Sequence, residues 1–182
     1  MNLFIDTHLN DVVIILENNG KIIKKNVIAD KKQNSTVIMP TIKETLNGIK
    51  PDSIIVVNGP GSFTGVRLGV TVAKTLAYTM EIPIRTITSL ECMAVCIDGE
   101  KSVGFSDNNG YYVGEFDRNN KLIDSYIYLS NSEFEEYSRK RNIVTNVEYD
   151  YEKIISYALS KENINPHEAN PIYIKKLDVE KW

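Results

Sequence analysis

The sequence predicts an α/β fold with two lobes, in which mixed sheets are flanked by helices and the second lobe is shortened. An order of three short strands followed by a helix occurs twice, once from the N-terminus and again from about residue 101. The run SIIVV at 53–57 is continuous and β-branched, which is typical of a central parallel strand buried on both faces. We therefore place the first lobe at residues 1–98 and the second at 99–182.

The first lobe opens with a predicted antiparallel meander. Its three apolar runs are joined by tight turns, of which Asn18-Asn19-Gly20 is the clearest. Apolar residues then recur at intervals of three and four, which predicts an amphipathic helix with Pro40 either in its first turn or at a kink. The predicted elements are strands 3–5, 12–16 and 22–28, helix 37–49, strand 53–57, helix 62–80, strand 82–87 and helix 89–96, the last with Ser89 as its N-cap.

The second lobe repeats this order over a shorter length. The turns of its meander are Asp107-Asn108-Asn109-Gly110 and Asn119-Asn120, and its first helix has Asn131 or Ser132 as N-cap. The predicted elements are strands 103–106, 111–117 and 122–129, helix 132–140, strand 143–145 and helix 151–161.

Composition and charge exclude several classes of protein. Apolar residues make up 42% and charged residues 25% of the 182, as in ordinary soluble globular proteins. A net charge of -3 argues against autonomous nucleic-acid binding. We interpret the basic stretch formed by Lys21, Lys24, Lys25, Lys31 and Lys32 as a solvated face.

The chain also lacks the marks of export. No apolar run approaches the roughly 18 residues of a membrane span, and the N-terminal residues do not have the pattern of a signal peptide. Cys92 and Cys96 are four residues apart, which fits neither a disulfide framework nor a redox CxxC motif. We expect a cytoplasmic protein with two buried thiols and no membrane partner.

The segment NGPGSFTGVRLG at 58–69 follows a strand and begins a helix, the position at which glycine-rich loops hold phosphate. It lacks the lysine of a P-loop, since the first lysine after it is Lys74. The Rossmann fingerprint requires a third glycine where Thr64 stands, and the spacing does not fit a nucleophile elbow. We interpret the segment as a structural loop that ends in a helix cap at Ser62 or Thr64. The residues of this loop are Gly59, Pro60, Gly61, Ser62, Thr64, Gly65 and Gly69.

Small residues recur every four positions along the helix after this loop, at Gly65, Gly69, Ala73 and Ala77. Such a stripe allows another helix, of this chain or of a second chain, to approach closely. We predict that it faces a neighbour and that Ala73→Glu abolishes partner binding in a folded chain. The predicted interface residues are Phe63, Val66, Arg67, Val70, Ala73, Lys74 and Ala77.

Metal and nucleotide chemistry have weak support. The only histidines, His8 and His167, form no metal-binding motif, so we predict no metal and interpret both as surface or cap residues. Asp6-Thr7 ends the first strand, where actin-like ATPases place an acidic residue beside a glycine, but no glycine follows here. Turns are the favoured interpretation of Asp6-Thr7 and of the hairpin at Asp107. The alternative is a vestigial nucleotide site at Asp6, Thr7 and Asp107.

Four segments together resemble the TsaB (YeaZ) family. They are IDT at 5–7, NGPGSFTGVRLG at 58–69, IPIRTITSLECMA at 82–94 and NPIYIKK at 170–176. The resemblance implies a two-lobed actin-like fold (ASKHA, with a ribonuclease H-like motif) in a glycoprotease-like relative of the transferase TsaD that lacks its metal-binding histidine pair. Departures from the family pattern include Ser106, which stands where family members often have aspartate.

The resemblance also implies a function. The chain is expected to be a non-catalytic dimerisation subunit that binds a TsaD-like catalytic subunit and a TsaE-like ATPase, with a homodimer as a further option. The complex modifies the adenosine beside the anticodon of tRNAs that read ANN codons, and tRNA meets this subunit only through the complex. No cofactor is expected, with ATP or ADP at the partner interface left open.

Two alternatives remain open at this point. One is an actin-like nucleotide-binding or glycoprotease-type enzyme that uses Asp6 and Asp107. The other is a self-associating module without a role in tRNA modification.

Overall fold

A computed structural model describes residues 1–9, 11–29 and 34–175, with Asn34 described by its backbone alone. Lys31, Lys32 and Lys176 of the segments considered above lie outside these ranges. The strands are β1 (Asn2–Asp6), β2 (Asp11–Asn18), β3 (Lys21–Ala29), β4 (Ser53–Val57), β5 (Ile84–Ile87), β6 (Lys101–Ser106), β7 (Gly110–Phe116), β8 (Ile127–Ser130) and β9 (Ile143–Val144). The helices are α1 (Asn34–Leu46), α2 (Phe63–Met80), α3 (Ser89–Val95), α4 (Asn131–Ser138), α5 (Tyr151–Ser160) and a 3-10 turn (Pro166–Glu168).

The first sheet has five strands in the order β3-β2-β1-β4-β5. The meander β1 to β3 is antiparallel, as predicted, and β4 lies parallel to both β1 and β5. Every residue of β4 is buried, which confirms the central parallel strand predicted from SIIVV. Helices α1 and α2 cover one face, where Leu3, Ile5 and Val56 form a core with residues of both helices.

The second sheet has four strands in the order β8-β7-β6-β9. Its meander is antiparallel, and β9 pairs with β6 in parallel. The prediction of a third meander strand at 122–129 is largely wrong, because β8 begins only at Ile127. Among residues 122–126, which the prediction placed in this strand, Leu122 forms an isolated bridge with Phe116.

Helix α5 returns from the second half of the chain to the first sheet. It packs against β4, β5 and α3, on the face opposite α1 and α2. Ile154, Ile155 and Ala158 of α5 are buried against Phe4 and Ile15. The first sheet is therefore covered on both faces, but one cover comes from residues after 150.

The structure corrects two predicted caps. Helix α3 is capped by Thr88 rather than Ser89, in a capping box with Glu91. Helix α4 is capped by Ser130 rather than Asn131 or Ser132, again in a capping box. In both helices the N-cap is a Ser or Thr three residues before a Glu, rather than the residue that follows it. This arrangement is favoured because the two side chains accept hydrogen bonds from two backbone N–H groups at the start of the helix.

The remaining predicted elements are present with shifted bounds, and the largest shift is that of α1, which spans Asn34–Leu46 rather than 37–49. Pro40 lies inside α1, beyond the first turn. Two of the described lysines of the basic stretch form ion pairs, Lys21 with Glu152 at 3.0 Å and Lys24 with Glu44 at 3.2 Å. None of the helices in the described ranges combines the length and apolarity that a bilayer crossing requires.

Candidate functional site

The segment 58–69 forms a sharp turn between β4 and α2, as predicted. Gly59 has a φ of 100°, a left-handed conformation that favours glycine, and the Gly59–Pro60 peptide bond is cis. The Ser62 hydroxyl accepts a hydrogen bond from Gly65 N at 3.3 Å, so Ser62 is the N-cap and Thr64 lies within the helix. The turn fixes where α2 begins relative to β1, because Ser62 N donates to His8 O at 2.7 Å.

The small residues of α2 face the sheet of their own chain, so the prediction that they face a neighbour is wrong. Gly65 and Gly69 pack against Thr7, whose hydroxyl donates a hydrogen bond to Gly65 O at 2.7 Å. Ala73 is completely buried, and a carboxylate there would be forced into the core. Ala73→Glu therefore tests folding rather than partner binding.

Four of the seven predicted interface residues belong to this chain's own core. They are Val66, Val70, Ala73 and Ala77. Phe63 and Arg67 are exposed, whereas Lys74 is half-buried and its ammonium group donates to Ala169 O at 3.3 Å. A spacing of four identifies one helix face, but it does not distinguish a sheet of the same chain from a partner.

The outward face of α2 has few charged side chains. Its exposed residues are Phe63, Thr64, Arg67, Thr71, Thr75, Tyr78 and Thr79. All of α2 lies in the described ranges, and Arg67 is the one charged residue in this set. Tyr78 is 62% exposed and Phe63 47%, and on the neighbouring helix α1 Met39 is 46% exposed. Solvent-facing helix surfaces are normally rich in charge, so this surface has the composition of a contact surface.

The segment after the 3-10 turn crosses the glycine-rich loop and the first half of α2. We call residues 169–175 the strap. Ile172 N donates to Asn58 O at 2.8 Å, and the Asn58 side chain donates to Asn170 O at 3.1 Å. Further along, Arg67 donates to the Tyr173 hydroxyl at 2.7 Å. Sequence reasoning assigned the strap no structural role, although the segment at 170–176 contributed to the family resemblance.

Two cavities lie at the end of β1, beside this loop. The larger, of about 720 Å³, is bounded by the glycine-rich loop, the turn between β6 and β7, and the strap. The smaller, of about 290 Å³, lies between the end of β1, the start of β2 and residues 145–151. His8, Leu9 and Phe105 line both cavities.

The three residues of the predicted vestigial nucleotide site do not surround one point. Asp6 lines the smaller cavity and Asp107 the larger. Thr7 is completely buried and bonded to Gly65. The chain segment at Asp107 is a hairpin turn, as the favoured interpretation had it, and Asp107 N donates to Gly110 O at 2.8 Å.

The Asp107 carboxylate is held by four groups. It accepts hydrogen bonds from Tyr128 at 2.8 Å, Asn109 N at 2.8 Å and Lys175 at 3.3 Å, and a longer one from the Tyr112 hydroxyl at 3.5 Å. Burial raises the pKa of Asp107, but the three shorter hydrogen bonds and the Lys175 charge outweigh it, so the pKa lies below its ordinary value. The carboxylate thus ties the hairpin turn to β8 and to the end of the strap.

His8 is buried, which corrects its interpretation as a surface or cap residue. Its Nδ1 lies 2.6 Å from Asp6 Oδ1, and its backbone N–H donates to the same oxygen at 3.0 Å. Phe105 contacts the imidazole edge-on at a centroid distance of 5.8 Å, and Tyr149 lies nearly parallel to it at 6.5 Å. The sequence contained one sign of this dyad, because an Asp two residues before a His can accept the His backbone N–H in an Asx turn. His167, in contrast, is exposed.

Burial keeps two phenols and a thiol near the smaller cavity protonated. Burial raises the pKa of the Tyr149 phenol, and burial followed by the Asp6 charge raises that of Tyr151. Burial also raises the pKa of the Cys92 thiol, so the predicted buried thiol is confirmed there, while Cys96 is half-buried. Within the described ranges, no three His, Cys, Asp or Glu side chains are grouped so that they could hold a metal ion.

Comparison with known sequences gives two kinds of match. The family model described as TsaD, tRNA N6-adenosine threonylcarbamoyltransferase, matches residues 21–104. The tRNA threonylcarbamoyladenosine biosynthesis protein TsaB of Bacillus subtilis is 37% identical over 134 residues, which are 69% of this chain and 58% of that protein. The TsaB protein of Haemophilus influenzae is 33% identical over 97 residues, 50% of this chain and 41% of that protein. The aligned part of this chain thus spans less than two thirds of these relatives.

Comparison with solved structures supports the fold. YeaZ from Pseudomonas aeruginosa matches with a TM-score of 0.76 and 18% identity, over 94% of this chain and 98% of that chain. A crystal structure from the same organism, described as an uncharacterized protein with similarity to peptidase YEAZ, matches with a TM-score of 0.78 and 17% identity, over 96% and 99%. The two-lobed α/β fold predicted from the sequence is confirmed.

Proposed function

The resemblance to the TsaB (YeaZ) family is confirmed, and from it we propose that this chain acts in tRNA threonylcarbamoyladenosine biosynthesis as a non-catalytic cytoplasmic subunit. Its partners are a TsaD-like transferase and a TsaE-like ATPase. The complex modifies the adenosine beside the anticodon of tRNAs that read ANN codons.

The observation that carries this proposal is the outward face of α2. Small residues bury the inner face of the helix against its own sheet, and the outer face has two exposed aromatic rings and one charge. Exposed Met39 of α1 extends the apolar surface on the same side of the sheet. Two adjacent helices with this composition suit packing against helices of a partner, with Thr71 and Thr75 near the middle of the contact.

The proposal predicts that Thr71→Glu prevents complex formation. Thr71 is exposed, so the variant should fold, but a carboxylate buried without a partner costs about 2 kcal/mol or more. Affinity for the TsaD-like protein of the same cell should then fall by at least about thirtyfold. Gel filtration of the co-expressed pair and a titration followed by calorimetry would measure the loss.

Ser156→Glu is the matched control, since Ser156 is exposed in the middle of α5 on the opposite face of the sheet. It should leave the complex intact. Intact complex with Thr71→Glu would overturn the assignment of the surface. Normal threonylcarbamoyladenosine in tRNA after depletion of the chain, measured by mass spectrometry, would overturn the function.

A second candidate is a nucleotide-binding enzyme of actin-like type. The larger cavity favours it, because the first turn of α2 and Asp107 border the same space of about 720 Å³. Calorimetry of the isolated chain with ATP and magnesium separates the two candidates. Micromolar binding would favour the enzyme, and no heat at that concentration would favour the subunit.

A further inference from the structure

Arg67 is held in one orientation on the outward face of α2. Its Cζ lies 4.1 Å from the centroid of the Phe63 ring, and its Nε donates a hydrogen bond to the Tyr173 hydroxyl at 2.7 Å. The Tyr173 ring also faces the guanidinium, with its centroid 5.8 Å from Cζ, and the two rings contact each other at a centroid distance of 5.6 Å. Helix α2 and the strap together therefore fix the plane of an exposed guanidinium.

The guanidinium keeps most of its hydrogen-bond donors free. Nε uses one of the five N–H groups, and the other four belong to the two terminal nitrogens. Within the described ranges, those four groups have no protein acceptor and Arg67 forms no ion pair. Water satisfies them in the free chain, but an Arg already fixed by two rings loses little further side-chain freedom when an anion binds. Arg67 is thus pre-organised for an external anion.

The composition of the surface favours a protein carboxylate as that anion. The fork of an Arg matches both carboxylate and phosphate groups, but the backbone of a nucleic acid is bound by several cationic groups together. Arg67 is the one charged residue among the exposed residues of α2, all of which the structure describes. Its neighbours are aromatic rings and threonines, and an Arg beside a Tyr on a surface of low charge is the composition of protein-interface anchors.

A second copy of this chain is a poor source of the carboxylate. None of the exposed residues of α2 is Asp or Glu, so two chains that met through this helix would place Arg67 against no acid of it. On the neighbouring helix α1, Glu44 is the one acidic residue, and it already pairs with Lys24 at 3.2 Å. A protein of different sequence therefore fits the surface better.

We propose that Arg67 anchors the TsaD-like partner by binding the carboxylate of an Asp or Glu side chain on it, and that Tyr173 of the strap is the positioning residue that orients the guanidinium. This role rests on the proposed function, since the partner is the protein that covers the outward face of α2. The strap then forms part of the docking surface, and a change that releases Arg67 from Tyr173 weakens binding.

Calorimetric titration of the full chain with the TsaD-like protein of the same cell tests the role of Arg67. Arg67→Ala should lower the affinity by about tenfold or more. Arg67→Lys keeps the charge but loses the planar fork, and should still lower the affinity by about fivefold. Arg118→Ala is the matched control and should leave the affinity unchanged, since Arg118 is exposed in the turn after β7 and its guanidinium is 3.8 Å from Glu100.

Tyr173→Phe separates positioning from direct contact with the partner. The variant keeps the ring but removes the hydroxyl that accepts from Nε of Arg67, so the affinity should fall by about threefold. In a chain that already carries Arg67→Ala, the same change should have no effect, because no guanidinium is left to orient. An equal loss in both backgrounds would mean that Tyr173 binds the partner by itself, and would overturn its positioning role.

Charge reversal identifies the carboxylate on the partner. Arg67→Glu should abolish the complex, and Lys in place of one surface Asp or Glu of the partner should restore it. Failure of every such replacement to restore binding would overturn the carboxylate as the ligand. So would weaker binding of tRNA by Arg67→Ala at unchanged affinity for the partner, because the anion would then be a phosphate.

The variants also separate this proposal from the function on which it rests. An intact complex with Thr71→Glu would overturn both. Loss of the complex with Thr71→Glu, together with full affinity of Arg67→Ala, would overturn the role of Arg67 alone. Urea unfolding checks the fold of each variant, and the midpoints should stay close to that of the parent chain because Arg67 is exposed.

Discussion

At the scale of single residues, Thr7 explains why the inner face of α2 begins with two glycines. The Thr7 hydroxyl donates to Gly65 O, in the first turn of the helix. A Cβ at Gly65 would overlap the Thr7 carbonyl oxygen, and a Cβ at Gly69 would overlap the Thr7 hydroxyl. The glycines therefore allow close contact between a strand and a helix of the same chain.

Gly65→Ala should destabilise the fold strongly. The added methyl group meets backbone atoms of β1's continuation, which cannot rotate away, so we expect a loss of about 3 kcal/mol in the free energy of unfolding. The gain in helix propensity, about 1 kcal/mol, offsets only part of this. Urea unfolding followed by circular dichroism measures the change. Thr71→Ala on the exposed face should change stability by less than about 0.5 kcal/mol, and equal effects of the two variants would contradict the packing argument.

At the scale of elements, the strap and the turn between β6 and β7 meet at Asp107. The carboxylate joins the turn to Tyr128 of β8 and to Lys175 of the strap. Neither contact was apparent from the sequence, where Asp107 was a turn residue or a nucleotide ligand. Sequence separations of 21 and 68 residues explain this, since no local pattern reports which distant group reaches a turn.

Asp107→Asn should destabilise the chain in a pH-dependent manner. Because the folded pKa lies below the unfolded pKa, the carboxylate stabilises the fold above the unfolded pKa and loses that contribution as pH falls through the folded pKa. We expect a loss of about 1 kcal/mol at pH of about 7 that shrinks below a pH of about 4. Urea midpoints at several pH values measure it, with Asp124→Asn as control, since Asp124 is exposed. A difference that stays constant with pH would contradict the assignment.

Elements with a clear period were predictable, and the contacts between them were not. The buried run of β4 and the amphipathic pattern of α1 depend on local composition, so β4 has its predicted bounds and the helix α1 exists, although it spans Asn34–Leu46 rather than 37–49. The segment from Leu122 has the apolar residues of a strand, yet it pairs with β7 only through an isolated bridge at Leu122 and then from Ile127 onward. Strand extent depends on a partner strand, which the local sequence does not contain.

The features of the candidate site also separate into those that the local sequence predicts and those that depend on distant residues. The turn at 58–69 and its Ser62 cap follow from residue types. The inward orientation of Ala73 and the burial of His8 depend on which sheet and which second-lobe residues pack there. For this reason the sequence identified the correct helix but the wrong face of it.

At the scale of the whole molecule, the two lobes share a core. Phe4, Ile15, Ile55 and Val57 of the first sheet are completely buried, and α5 covers them. Ile164, just after α5, also bridges to Ile84 at the edge of that sheet. The first lobe thus obtains part of its core from residues beyond the predicted boundary at 98.

This sharing predicts that residues 1–98 do not fold alone. Without α5, one face of the first sheet would expose a continuous apolar surface, which favours association over a stable monomer. A fragment of residues 1–165 retains α5 and loses the 3-10 turn, the strap and the residues after it, so it should show a cooperative urea transition at a lower midpoint than the full chain. Circular dichroism and gel filtration of both fragments would measure this. A monomeric 1–98 fragment with a sharp transition would mean that α1 and α2 suffice to stabilise the sheet, and that the two lobes are independent folding units.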